Sequence, residues 1–224
     1  MRSLLYVPII HSQSDMGSLG LAIDQASASM VGENRWERHK DIVARLWDVI
    51  EDYLASVDAT NLKIYQDGLA AERELGRRVV EEAARRGSKN HQIVLSLMNR
   101  GAEVRQTEDL SLLLEEGRQI IQATQRGVGG QDPQDKRAYE HQKQVLTDQR
   151  DRFVADRINT TLREGEIGLL FMGAYHNVLP LLAKDILVTQ VKDQHKVESY
   201  FHELLNGAGE GMLEQWAGYL TCPI

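Results

Sequence analysis

One cysteine, Cys222, stands in a chain of 224 residues. A single thiol excludes an intramolecular disulfide and any cysteine cluster around a metal within one chain, and it fits a reducing cytoplasm. Positive charge is also short. Lys and Arg number 26 against 33 Asp and Glu, the formal charge is −7, and no basic run with interleaved aromatics occurs. The electrostatic footprint of a nucleic-acid binder is therefore missing. Long apolar runs are missing as well. Leu4 to Ile10 is too short for a secretory core and no small-residue cleavage site directly follows, so it reads as a first strand. The stretch LLFMGAYHNVLPLLAKDILV at 169–188 is interrupted by His176, Asn177, Pro180, Lys184 and Asp185, which argues against a membrane-spanning helix. Internal repeats and low-complexity tracts are absent. Only RGVGGQDPQD at 126–135 is rich in glycine and proline, and it reads as a loop inside one domain.

What is present is an apolar content of 42%, enough for a real core. Leu4 to Ile10 lacks helical spacing and looks like a strand buried on both faces. A long loop follows through HSQSDMGSLG. From about Asn34 to Ser56 the residues Trp36, Val43, Leu46, Trp47, Ile50 and Leu54 recur at helical spacing. NLKIYQDGL reads as a second strand, and 70–99 as helices interrupted at Gly87-Ser88. GAEVRQTEDL is a third strand running into a helix, with Thr107 as the cap. A long charged helix is expected from about Asp135 to Arg163. IGLLFMG then reads as strand, NVLPLLAKD as short helix, ILVTQV as strand, and VESYFHELL as helix. This alternation predicts a single α/β domain over 1–224, with a largely parallel sheet flanked by helices.

In such a sheet, ligands bind beyond the carboxyl ends of the strands. The rule gathers scattered residues onto one rim: His11 after the first strand, Asp67 after the second, Thr107 and Glu108 after the third, and His176 after IGLLFMG. Two imidazoles and a carboxylate there can hold a divalent cation with positions open to water, or form a base with an orienting acid. Gly68 and Gly173 let backbone approach a ligand closely. A lone histidine such as His176 is as readily a helix cap or a donor to a buried carbonyl, and His11 tips that balance.

Arg150 lies within the apolar stripe of Leu146, Phe153, Val154, Ile158 and Leu162. It must therefore find an acid, an anionic ligand or solvent at the helix edge. Its candidate partners are Asp67, Glu108 or an oxygen of the substrate. Two other sets are set aside. His195, Glu198 and His202 share a helical face opposite Val197, Phe201 and Leu204, so that face reads as solvated. The glycines of GVGG and GAGEG follow no strand and lack the Gly-Lys-Ser/Thr of a phosphate loop, leaving nucleotide binding weakly supported through Gly17 and Gly20.

The order of GAYH at 173–176, Arg150-Asp151, and Asp67 in YQDG resembles the superfamily that contains TraB/PrgY-like proteins, the Tiki metalloproteases, erythromycin esterase and the haem-binding protein ChaN. Members carry two Gly-x-x-His motifs, and here PIIH has Pro8 where the first motif has glycine. The resemblance implies a hydrolase-like site, metal-dependent in some members and metal-free in others.

The function expected is hydrolysis of an amide or ester bond in a small-molecule or peptide substrate. His11, His176 and Asp67 hold a divalent metal ion (Zn, Mn or Co) or an activated water. Arg150 steadies the oxyanion or a substrate carboxylate, and Asp15, Glu108 and Tyr175 line the site. The alternative is a non-catalytic protein binding haem or a small ligand with the same histidines. A third reading makes Asp67 and Arg150 an internal ion pair that needs neither histidine. No nucleic acid, no membrane and a possible homo-oligomer complete the expectation.

Overall fold

The structure is a computed structural model that describes residues 1–126, 133–207 and 209–224. Its strands are β1 (Arg2–Ile9), β2 (Leu62–Gln66), β3 (Glu103–Arg105), β4 (Ile167–Gly173) and β5 (Ile186–Gln190). They form one sheet in the order β3-β2-β4-β1-β5, and every neighbouring pair is parallel. The α/β architecture with a parallel sheet is as the alternation predicted.

The central strand β4 explains its own sequence. Leu169 and Phe171 enter one apolar core, while Leu170 and Met172 enter the other. A parallel strand covered on both faces reads as a continuous apolar run because alternate side chains meet different layers. The larger core is closed by α2 (Glu33–Ala55), α3 (Arg73–Arg85), α4 (Lys89–Asn99), α7 (Gln194–Leu205) and α8 (Glu210–Thr221). The smaller core is closed by α6 (Pro133–Thr161), through Val154, Ala155 and Ile158, and by Leu162 just past its end. Helices α1 (Gly20–Val31) and α5 (Leu110–Arg126) complete the described elements. None of the helices among the described residues is long and apolar enough to cross a membrane.

Several local expectations change. The loop after β1 becomes a 3-10 segment, Gln13–Leu19, that runs directly into α1. Gly20 is the only buried residue of α1, so that helix leaves no apolar stripe in the sequence. The cap of α5 is Asp109, whose Oδ1 accepts from the Ser111 and Leu112 amides at 2.7 and 3.1 Å. Thr107 is instead fully buried and its hydroxyl accepts the Gln66 amide at 2.9 Å. The short helix expected over NVLPLLAKD is one 3-10 turn, Leu179–Leu181. Helix α8, unread in the sequence, buries Leu213 and Leu220. Of the glycine-rich loop, residues 127–132 lie outside the described residues. On α7, His195 and His202 are exposed opposite buried Val197, Tyr200 and Leu204, as the periodicity indicated.

Candidate functional site

The sheet order makes β2, β4 and β1 contiguous, and their carboxyl ends deliver Asp67, Gly173 with His176, and His11 to one rim. Two backbone bonds extend the ladder past the strands and hold that rim rigid. The Asp67 amide donates to the Phe171 carbonyl at 2.9 Å, and the Ala174 amide to the Ile9 carbonyl at 3.1 Å.

Asp67 is the centre of the cluster. Its Oδ2 accepts the Gly173 amide at 3.0 Å and meets His11 Nε2 at 3.1 Å. Its Oδ1 accepts Arg150 Nη2 at 2.8 Å. Burial pushes the carboxyl up, but His11, His176 and Arg150 outweigh it and hold Asp67 well below the usual carboxylate range. Asp67 is therefore an ionised carboxylate inside the protein. Such a group persists only where it is paired and hydrogen-bonded.

Two histidines face this centre, each oriented by its own carboxylate. His176, 9% exposed, places Nδ1 at 2.5 Å from Asp151 Oδ1. The other Asp151 oxygen accepts the Asn177 amide at 2.7 Å, fixing the carboxylate in turn. His11 pairs with Asp67 as described and is more open, with 33% of its side chain exposed. Burial alone would lower both imidazoles. Asp151 and Asp67 outweigh it at His176, and Asp67 and Asp15 at His11, so both titrate above the ordinary value.

Gly173 lies between them. A Cβ placed there would stand 3.3 Å from Asp67 Oδ2, 3.3 Å from His176 Cδ2 and 3.5 Å from His11 Nε2. The missing side chain leaves the space that the two imidazoles and the carboxylate share.

Arg150, 3% exposed, is satisfied by acids. Besides Asp67 it donates Nη2 and Nε to Glu108 at 2.6 and 3.2 Å, and Nη1 to Glu116 at 2.6 Å. Four of its five N–H groups are thus committed. Glu108, with no exposure, is pushed up by burial against the pull of Arg150, to about 7.

The remaining expected residues lie at the margin. Asp15 spends Oδ2 on the amide and hydroxyl of Ser12, both at 2.7 Å, and Oδ1 accepts the Ser88 hydroxyl. Ser88 in turn meets His91 Nδ1 at 2.7 Å. Tyr175 is 48% exposed and packs its ring against Phe201, centroids 6.0 Å apart.

Sequence reasoning missed three participants. Asp151 was visible beside Arg150 in the motif, but its pairing with His176 depends on where α6 crosses the rim. Glu116 sits eight residues after Glu108, one of two adjacent glutamates on α5, and carries no signal of its own. Tyr6 lies in the run of β1, and its fully buried phenol has no hydrogen-bond partner. Burial, with Asp67 and Asp151 adding to it, raises that phenol above its ordinary value.

For a metal, the donors offer an edge more than a site. His11 Nε2 and Asp67 Oδ2 are 3.1 Å apart and hydrogen-bonded to each other. Among the described residues no three His, Cys, Asp or Glu are placed to hold an ion. A site built on His11, Asp67 and His176 requires that hydrogen bond to be given up.

No protein-family model, curated protein or solved structure matches the chain.

Proposed function

We propose that this chain hydrolyses an amide or ester bond, using His11–Asp67 and His176–Asp151 as two histidine–carboxylate pairs. The observation that carries the reading is the pair of imidazoles flanking Gly173, each with one nitrogen committed to its own acid. An ionised carboxylate only accepts, so Asp67 takes His11 Nε2–H and Asp151 takes His176 Nδ1–H. The free nitrogens are then His11 Nδ1 and His176 Nε2. A neutral imidazole held this way takes a proton from water, and a protonated one gives a proton to a leaving group. His11, the more open of the two, is the base that meets water; His176 is the acid. Arg150 keeps Asp67 ionised and in place rather than meeting the oxyanion, because four of its five donors are already spent on carboxylates.

The structural alternative accounts for the Asp67–Arg150 pair but gives no reason for two imidazoles beside it. A metal-assisted version, with Zn, Mn or Co supplying a water of lowered pKa, would draw on His11, Asp67 and His176. It requires their rearrangement, so the metal-free version is preferred.

The test is hydrolysis of p-nitrophenyl acetate and of a p-nitroanilide panel, with and without chelator. Loss of one acid–base group is worth about 10²–10⁴-fold, so His11→Ala and His176→Ala should each fall by that much while wild type ignores chelator. Variants as active as wild type would sink the hydrolase reading. Activity lost to chelator and restored by Zn, Mn or Co would replace it with the metal-assisted one. In that case a hundredfold excess of metal over Kd also raises stability by about 2.7 kcal/mol.

A further inference from the structure

Beside His11 lies an open cavity of about 600 Å³, bounded by the 3-10 segment after β1, by α1 and α2, and by the turn between α3 and α4. A volume of this size holds a drug-sized molecule. One wall is apolar, formed by Leu21 and by the edges of Trp36, Val43 and Trp47, which are 7%, 4% and 2% exposed. Leu21 is 58% exposed there, an apolar group left against water at the cavity edge.

The mouth has a different character. Lys40, Arg86 and Lys89 line it against a single acid, Asp24, whose Oδ1 accepts the Trp36 indole N–H at 2.8 Å. A positive rim thus stands on a protein whose formal charge is −7. Each cation has an acidic neighbour: Glu37 for Lys40, Glu82 for Arg86, Glu51 for Lys89. None of these acids lines the cavity. Exposed ion pairs of this kind are weak and screened by salt, so the cations re-pair with an incoming anion at little cost. A neutral apolar molecule would cover the wall and leave the rim unused. A small polar anion would use the rim and leave Leu21 and the tryptophan edges beside it uncovered.

We propose that the cavity selects amphipathic anions: amides or esters with an apolar ring against the tryptophan wall and a carboxylate at the Lys40–Arg86–Lys89 rim. The scissile carbonyl is then presented to His11, the one member of the two histidine–carboxylate pairs that lines the cavity. What happens at that carbonyl rests on the hydrolase reading; the selection does not.

The two are separated by calorimetry with N-acetylphenylalaninate and its uncharged carboxamide, at low ionic strength. Wild type should bind the carboxylate about tenfold more tightly, the scale of one charge-assisted hydrogen bond. The double variant Arg86→Met/Lys89→Met should bind both compounds alike, and Ala44→Trp, which fills the cavity from its exposed side, should weaken both by about tenfold or more. Equal affinities in wild type, binding of neither compound, or variants that match wild type would each overturn the assignment. Release of free amine from N-acetylphenylalaninate reads the chemistry separately. Selective binding without amine release keeps the cavity assignment and counts against the hydrolase. Ester hydrolysis lost in His11→Ala without selective binding does the reverse.

Discussion

Arg150→Met is the sharpest perturbation of the charge cluster. Methionine keeps the apolar stem on the α6 stripe and removes the guanidinium. Glu108, with a side chain 0% exposed, is then stranded inside the protein, and Asp67, 5% exposed, loses the cation on Oδ1 while keeping His11 and the Gly173 amide on Oδ2. Glu116, with 36% of its side chain exposed, recovers water and adds little. Removing one partner of a buried ion pair costs about 3–5 kcal/mol, and proton uptake sets when that full cost is felt. Glu108 already titrates near 7 with Arg150 beside it, and it rises further without that cation. Between about pH 7 and the new, higher pKa the folded variant holds one proton more than folded wild type. The penalty therefore shrinks by about 1.4 kcal/mol for each pH unit descended through that interval, and is level below it. Urea unfolding followed by tryptophan fluorescence at pH 7, 8 and 9 measures this. Adding Glu108→Gln to Arg150→Met should recover part of the loss at pH 9, because the stranded charge is gone. A loss under about 1 kcal/mol at pH 9, or an equal loss at every pH with no recovery in the double variant, would refute the view of Arg150 as the hub of a buried cluster.

The histidines offer a test that needs no substrate. In an NMR titration His11 and His176 should titrate above the ordinary 6.5, while buried His39, which Asp24 only partly supports, falls to about 4. Asp67→Asn removes the larger support of His11, leaving Asp15 alone against burial and Arg150, so that imidazole should drop; a His11 that stays as high would show that Asp67 is not its main support. Gly173→Ala puts a methyl 3.3 Å from both Asp67 Oδ2 and His176 Cδ2, a contact that yields by a few tenths of an ångström. Unfolding free energy should fall by about 1 kcal/mol, at the low end of overpacking, while hydrolysis is lost. A fully active Gly173→Ala would mean that the space between the imidazoles is not the reaction site.

The strand assignments were legible because each strand leaves a local mark. β4 is a continuous apolar run and β2 ends on Asp67-Gly68, a turn with Gly68 at φ 79°. The rim rule then placed His11, Asp67 and His176 together without knowledge of the sheet order. Arg150 was legible as a charge out of place on an apolar stripe, and Asp67 and Glu108, two of the partners expected for it, are bonded to it. What left no mark was α1, which buries almost nothing, and α8, whose buried Leu213 and Leu220 are seven residues apart.

Sequence alone, then, determined the class of fold and the residues that reach its rim, since periodicity and strand ends are properties of consecutive residues. It could not determine pairing. Whether His176 serves Asp67 or Asp151, and whether Arg150 awaits a ligand or is spent on three acids, depends on α5 and α6 crossing the rim at one depth. That depth is set by packing of Val154, Ile158 and Leu162 against the sheet, between residues far apart in the chain. Arg150 and its three acids, separated by 34 to 83 positions in sequence, come within hydrogen-bond distance only once that packing exists. Burial by the same packing strips them of water, and this turns a set of ordinary ionisable residues into one interdependent cluster.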